Sequence, residues 1–216
     1  MSGIIDFLKT MLAKPDELMQ FIKDHGGIYV VMFIVFAETG LFAGFFLPGD
    51  SLLFITGIMI SSTGGSFFEL IYAFGMISLA AIFGNFVGYW FGRKSGHLWF
   101  EKKETFFFKQ KHLKQAHDFY EEKGGLAIIM GRFLPIVRTF APLVAGIVKM
   151  DRKKFLSYSI IGALAWVVSM ILAGYFLGSY EIVKKNIDKI TIGIILVTTG
   201  PVLIKMIFGK KKEAQS

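Results

Sequence analysis

Long stretches without a charged residue constrain this chain more than any other feature of its sequence. Leu70–Gly92 has no charge in 23 residues, and Phe155–Tyr180 has none in 26. Ile190–Ile204 is uncharged over 15 residues, and Lys205 beside it can snorkel to an interface. Because a helix needs about 20 mostly apolar residues to cross a bilayer, these stretches predict membrane-spanning helices. We therefore expect an all-α, multi-pass membrane protein.

The composition agrees with this expectation and excludes other classes of protein. Of the 216 residues, 54% are hydrophobic and only 19% are charged, whereas a soluble domain has about 25% charged residues. Intrinsic disorder is excluded because the apolar content is too high. The net charge of +8 would suit a nucleic-acid binder, but the apolar runs would not, so we expect no nucleic-acid partner. The absence of cysteine excludes disulfides, thiolate metal sites and a cysteine nucleophile.

Two further apolar stretches are interrupted by proline and glycine. Gly26–Phe68 has 43 residues and Gly124–Val148 has 25, and each contains only two charges. Such breaks are tolerated at membrane depth where the backbone is buried in protein or lines a wet cavity. The predicted helix breaks are Pro48, Gly49, Pro135 and Pro142.

The placement of basic residues predicts the topology. The segment 93–123 contains eight Lys and Arg, and the segments 149–154 and 205–212 contain four each, whereas Ser61–Glu69 contains none. By the positive-inside rule the first three segments, and with them the C-terminus, are cytoplasmic. The segment 181–189, with three Lys, fits this assignment less well. Gly124–Val148 then begins and ends on one side, which predicts a re-entrant hairpin that turns around Leu134–Pro142.

An interrupted segment followed by a long helix occurs twice in the chain. The two long helices are expected to run in opposite directions, which is the pattern of an inverted repeat. We predict one transmembrane domain over residues 26–209, with repeat 1 at about 26–96, repeat 2 at about 124–180 and a final helix at 190–208. Two unrelated kinked helices are the alternative interpretation.

Glycines recur every four residues in the first long helix and its extension, at Gly84, Gly88, Gly92 and Gly96. Gly174 repeats the pattern with Gly178 in the second. Small residues at this spacing let helices approach closely. Packing within one chain is the expected role, and a homodimer interface is the alternative.

The ends of the chain predict interfacial segments. Residues 1–25 place apolar side chains at helical spacing around charged ones, which is typical of amphipathic helices in the headgroup region, although packing on a soluble partner would also explain them. Residues 104–123 combine aromatic residues with many Lys and predict an amphipathic helix on anionic lipid, and the tail 210–216 begins with three Lys.

Four charges lie within the interrupted apolar segments. Glu38 and Asp50 occur in the first, and Arg132 and Arg138 in the second. An ionisable group in hydrocarbon costs at least about 2.5 kcal/mol on insertion scales, so a function is favoured over purely structural ion pairs. Because a guanidinium matches phosphate and a buried carboxylate can exchange a proton, the four residues predict a proton-linked anion site. We expect Arg132 and Arg138 to bind substrate phosphate and Glu38 and Asp50 to couple to protons.

Two stretches resemble the DedA family of bacterial inner-membrane proteins, whose domain is also called the SNARE-associated or VTT domain. They are ETGLFAGFFLPGDSLLFITG (Glu38–Gly57) and GRFLPIVRTFAPLVAGIVKMDRKKF (Gly131–Phe155). The shorter pieces GNFVGYWFGRKSG and GALAW fit as well, and the resemblance covers about residues 25–180.

This resemblance implies a lipid transporter. Bacterial members recycle undecaprenyl phosphate or move phospholipids, eukaryotic relatives act as lipid scramblases, and several members depend on the proton-motive force. The essential acids of the family map onto Glu38 and Asp50, and its essential arginines onto Arg132 and Arg138. Re-entrant hairpins that face each other are also implied.

Three other functions are alternatives. The same acids would serve a proton-coupled exchanger of small ions or drugs. A lipid phosphatase would need a histidine nucleophile or a metal cluster, and the four histidines lie in polar segments away from the arginines, so we expect no enzyme, catalytic residue, metal site or cofactor. A scaffold whose buried charges only assemble subunits is the last alternative. The histidines are His25, His97, His112 and His117.

Overall fold

The structure, a computed structural model, describes residues 24–41, 49–101 and 125–180, together with residues 20, 22, 183, 186, 190 and 193. Within these ranges the chain is helical and contains no β-strand. Most of the predicted interfacial segment 1–25, the segment 104–123, most of the third apolar stretch, the basic tail and Pro48 lie outside the described residues. The helices are α1 (Ile28–Gly40), α2 (Gly49–Ser62), α3 (Phe67–Glu101), α4 (Gly125–Gly131), α5 (Pro135–Ile147) and α6 (Arg152–Leu177).

Two of these helices are long and apolar enough to cross a membrane. They are Phe67–Gly96 within α3, with 30 residues, and Arg152–Leu177, which is α6, with 26. They correspond to the uncharged stretches Leu70–Gly92 and Phe155–Tyr180 of the sequence. One face of α3 exposes large apolar side chains between Phe68 and Trp90, as a helix in contact with lipid does. These include Phe68, Leu79, Phe83 and Trp90, which are 53–82% exposed.

Each long helix follows a pair of shorter ones. The helices α1 and α2 have 13 and 14 residues, and α4 and α5 have 7 and 13, so none of the four reaches the length of a full crossing. The second pair is interrupted at residues 132–134, immediately before Pro135. Pro142 lies inside α5, which continues to Ile147. The prediction that Pro142 breaks the helix was wrong, because its neighbours keep helical geometry around the missing N–H donor.

The described residues form two compact units. The first contains the described residues of Met1–Val31, Pro48–Phe74 and Val168–Ser216, and the second those of Met32–Leu47 and Gly75–Val167. In the second unit, four glycines of α3 lie against α1 and α5. A Cβ at Gly92 would overlap the carbonyl group of Leu143, so these helices are in backbone contact. The pairs are Gly84 with Thr39 and Gly40, Gly88 with Pro142, Gly92 with Leu143, and Gly96 with Ile147.

The first unit contains an equivalent contact between α2 and the C-terminal half of α6. Gly174 lies against Phe54, and Gly178 lies against Ile58. The hydroxyl groups of Ser61 and Ser179 are 3.1 Å apart at the end of this contact. Residue numbers increase together along α2 and α6, as they do along α5 and α3, so both pairs pack in parallel. The glycine spacing therefore serves intramolecular packing, as the sequence predicted.

The connection from α5 to α6 is fixed to α3. Helix α5 ends in a Schellman motif, in which Met150 N–H donates to the carbonyl of Ala145 at 3.0 Å and Lys149 has a left-handed φ of 56°. The Tyr89 hydroxyl donates to the carbonyl of Met150 at 2.6 Å, and the Tyr89 ring stacks on Phe155 with centroids 4.5 Å apart. This loop therefore sets where α6 begins relative to α3.

Candidate anion-binding site

The break between α4 and α5 determines the positions of both arginines. The residue before a proline is held out of helical geometry, and Leu134 accordingly has φ −105° and ψ 110° before Pro135. Arg132 lies in the turn that this break creates, while Arg138 lies one turn into α5. Each residue is only 3% exposed. The Pro–Arg spacing of the sequence thus brings two guanidinium groups into one buried region.

Arg138 is held by an acid and by an aromatic ring. Its Nη2 forms an ion pair with Oε1 of Glu38, which lies near the end of α1 and is 3% exposed. Its Cζ lies 4.3 Å from the ring centroid of Trp166, which is completely buried in α6. The ring face attracts the cation without neutralising it. Arg138 is therefore bound from two sides, by one charged group and one neutral group.

Arg132 is buried, and no carboxylate among the described residues pairs with it. Its Nη2 donates to Oγ of Ser159 at 2.9 Å. Its Nε and Nη1 have no hydrogen-bond partner, and no acid forms an ion pair with it, among the residues that the structure describes. A buried cation with neither a counter-ion nor a full set of acceptors is costly. Arg132 thus has N–H donors and a positive charge available for an anion.

The balance of charge in this unit points the same way. The buried charged side chains described in it are Glu38, Arg132 and Arg138, which leaves one positive charge in excess. Deep burial of an uncompensated charge costs several kcal/mol (order of magnitude), and an anion bound between the guanidinium groups would remove that cost. The arrangement is thus suited to bind a compact anion such as a phosphate group.

Asp50 belongs to the other unit. It lies in the first turn of α2 and is 4% exposed, where the positive end of the helix dipole favours a carboxylate. The structure therefore brings Glu38 and Arg138 into contact and places Arg132 in the same unit. The predicted pairing of Asp50 with the arginines stays a prediction. Gly49 is the first residue of α2, and Pro48 is outside the described residues.

Three residues of the site were not identified from the sequence. Ser159, Gly162 and Trp166 all lie on α6 and all contact an arginine. Their spacing of three and four residues places them on one helix face, but nothing in the sequence shows which partner that face meets. A serine and a glycine among apolar residues are common in any membrane helix. Within the described ranges, no group of three His, Cys, Asp or Glu residues is placed to hold a metal ion.

The fold and the site together define a helical membrane protein with a buried basic site. A model of the VTT domain matches residues 47–176. The sequence is 39% identical to Protein DedA of Escherichia coli over 99% of this chain and 98% of that protein. It is 37% identical to an uncharacterised membrane protein of Mycobacterium leprae over 85% of this chain and 81% of that protein, and 28% identical to the inner membrane protein YqjA of Escherichia coli over 97% and 92%.

The chain therefore belongs to the DedA family of VTT-domain proteins. Its two long apolar helices and the membrane proteins among its relatives together support a membrane location. No solved structure matches the chain.

Proposed function

We propose that this protein moves a lipid with a phosphate-bearing headgroup, such as undecaprenyl phosphate or a phospholipid, across the membrane. The observation that carries the proposal is the burial of Arg132, in the same unit as Arg138, with no carboxylate partner in the described part of the chain. A phosphate group would supply the missing negative charge and the missing acceptors. Binding of this kind needs no covalent chemistry, so the proposed activity is transport and not catalysis.

The surface beside the arginines favours a lipid over a soluble anion. Phe133 and Leu134 lie in the break next to Arg132, Val137 lies next to Arg138 in α5, and the three side chains are 39–58% exposed. Apolar side chains that face outward at membrane depth would contact an acyl or prenyl chain. The headgroup would then lie among buried charges while its chain stays in lipid. A lipid carrier needs an apolar surface next to the headgroup site, whereas an exchanger of small ions does not use such a surface to bind its substrate.

Proton linkage is proposed to act through the acids, and most directly through Glu38. A proton on Glu38 would remove the negative charge that now pairs with Arg138. Arg138 would then contribute its charge to phosphate binding, and loss of the proton would restore the ion pair and favour release. The proton and the phosphate would thus bind together. Asp50 is proposed as a second proton-coupling residue.

The proposed architecture is an inverted repeat in which a re-entrant hairpin precedes each long helix. The reciprocal packing supports it, since α2 packs on α6 in parallel and α5 packs on α3 in parallel. If α2 is equivalent to α5 and α3 to α6, the two contacts are the same contact in the two repeats. Because the chain lacks cysteine, single cysteines at residues 123 and 149 would test the hairpin by labelling from one side. Labelling from opposite sides would show a full crossing.

The proposed location is the inner membrane of a bacterium, with the C-terminus in the cytoplasm. One relative is named as an inner membrane protein, and the basic segments described from the sequence favour this orientation. The chain is proposed to work without a resident cofactor or metal. Its proposed partners are the lipid, protons and an anionic lipid surface, with a homodimer as a further possibility.

The transport proposal is tested with the full chain in vesicles of phosphatidylcholine that contain a small fraction of undecaprenyl phosphate. The measurement is the transfer of the phosphate headgroup between leaflets, with and without a pH gradient. We expect Arg132→Ala and Arg138→Ala to abolish transfer, while Ile161→Ala, on an exposed position of α6, should not affect it. Normal transfer by both arginine variants would contradict the proposal.

Two further vesicle experiments distinguish lipid transport from the exchange of small ions and test which headgroup is accepted. Vesicles with phosphatidylglycerol in place of undecaprenyl phosphate show whether a phosphodiester headgroup is accepted. Vesicles loaded with inorganic phosphate show whether a soluble anion is moved. Flux of inorganic phosphate without lipid transfer would favour the ion exchanger.

A further inference from the structure

We infer that one face of α6, formed by Ser159, Gly162 and Trp166, positions both guanidinium groups and thereby sets the affinity of the site for phosphate. The inference rests on the proposed function, because it assigns that site its positioning residues. The three positions are three and four residues apart, so they lie along one side of the helix. Ser159, at the N-terminal end of this face, contacts Arg132, and Trp166, at its C-terminal end, contacts Arg138.

Ser159 orients Arg132 without discharging it. The serine hydroxyl accepts a hydrogen bond from Nη2 at 2.9 Å and is itself 1% exposed. A carboxylate at this position would hold the guanidinium as well but would neutralise its charge. A neutral acceptor fixes the plane of the group and leaves Nε and Nη1 without a partner among the described residues. Ser159 therefore preserves the positive charge that the anion needs.

Gly162 provides the space in which Arg132 lies. A Cβ at this position would be 2.8 Å from Cδ of Arg132 and 3.0 Å from its Nε. It would also be 3.3 Å from Cα of Ile129 in α4, so a shift of the arginine alone would not relieve all of the close contacts. A methyl group at residue 162 would thus displace one of the two nitrogens that lack partners, while Arg132 would keep its charge.

Trp166 holds Arg138 in a way that does not depend on protonation. The ring centroid is 4.3 Å from Cζ, and the attraction of the ring for a cation persists whether Glu38 is charged or neutral. The ion pair with Glu38 would weaken when Glu38 takes up a proton. Trp166 would then keep Arg138 at its position, so the released charge stays at the phosphate site.

The experiment measures binding of farnesyl phosphate to the purified full chain in a neutral detergent. We expect Ser159→Ala and Trp166→Leu each to raise the half-saturating concentration about tenfold, which is the effect of one lost hydrogen bond to a charged group or one lost cation–π contact. Gly162→Ala should raise it as well, because the new methyl group displaces Arg132. The maximal amount bound should not change. The conservative variants Ser159→Thr and Trp166→Phe should retain most of the affinity. Inorganic phosphate as a competitor shows how much of the binding is due to the headgroup alone.

Gly75→Ala is the matched control for Gly162→Ala, because a Cβ at Gly75 meets no atom within 4 Å. A double-mutant cycle separates positioning from general stability. In the Arg132→Lys variant, adding Ser159→Ala should change the half-saturating concentration little. A lysine ammonium has no guanidinium plane for the serine hydroxyl to orient. Trp166→Leu should keep its full effect in that background, since it acts through Arg138.

The outcomes are distinct. Wild-type protein that binds neither farnesyl phosphate nor inorganic phosphate would contradict the proposed function and, with it, this inference. Wild-type protein that binds normally, with unchanged half-saturating concentrations in Ser159→Ala, Gly162→Ala and Trp166→Leu, would contradict the positioning role alone. If the variants bind less ligand at an unchanged half-saturating concentration, the three residues have only a structural role. That result would also contradict the positioning role.

Discussion

Glu38 and Arg138 are 100 residues apart in the chain and form a buried ion pair between α1 and α5. The pair joins α1 to α5, the helix that follows the break at residues 132–134. The same guanidinium group lies over the ring of Trp166. Arg138 thus connects α1, α5 and α6. A change in the charge of Glu38 would directly change its electrostatic attraction for the Arg138 guanidinium group.

The effects of replacing the two partners of this pair should not be additive. We expect Arg138→Gln to lower the free energy of unfolding by about 3 kcal/mol, because it leaves the Glu38 carboxylate buried without its partner. Glu38→Gln should cost less, since Trp166 still faces the guanidinium. The double variant should cost less than the sum of the two, as measured by thermal unfolding in detergent. Additive effects would show that the two residues do not interact.

Close packing of α3 on α5 should make Gly92 intolerant of any side chain. In Gly92→Ala the new Cβ would overlap the carbonyl of Leu143, and we expect a loss of about 1–3 kcal/mol in stability, as is typical of overpacking. Gly75→Ala, on the same helix, should be neutral because a Cβ there meets no atom within 4 Å. Melting temperatures of the two variants give the comparison. Equal values would mean that α3 and α5 are not in backbone contact.

The C-terminus of α5 should be stabilised by a glycine at residue 149. Lys149 has a φ of 56°, in the left-handed region where a residue with a Cβ is disfavoured by about 1–2 kcal/mol. Lys149→Gly should therefore raise the melting temperature, whereas Lys149→Ala removes the same charge but keeps the Cβ and should not. A gain in Lys149→Ala as large as in Lys149→Gly would assign the effect to charge and not to backbone geometry.

Asp151 should make the start of α6 sensitive to acid. Its Oδ1 accepts a hydrogen bond from the N–H of Lys154 at 2.9 Å, and mainly this bond lowers the pKa of Asp151 below its usual value of 3.8. A group with a lowered pKa stabilises the fold in full above its unfolded pKa and loses that contribution as the pH falls through its folded pKa. The melting temperature of the wild type should thus fall towards that of Asp151→Asn below about pH 4. A difference that stays constant with pH would rule out titration of this group.

Much of the architecture is predictable from the sequence. The two uncharged stretches predicted α3 and α6 because a bilayer demands about 20 apolar residues in a row. The glycines of α3 predicted close helix contacts because only a missing side chain allows backbones to approach. The four buried charges were identified because their cost in an apolar segment is so high that few sequences contain them. Each of these features depends on residues that are close together in the sequence, so it can be recognised from the sequence alone.

Tertiary structure alone decided which residues meet. The sequence set two acids against two bases without saying which pairs form, and the structure places Glu38 on Arg138 and the neutral Ser159 on Arg132. A partner for Asp50 among the arginines stays a prediction. The structure also shows that Pro142 is accommodated inside α5. Which acid pairs with which arginine depends on which helix faces meet, and the two residues of such a pair can be 100 positions apart in the sequence. Because no local pattern encodes that choice, only the folded chain shows that Arg132 carries a charge that the described residues do not neutralise.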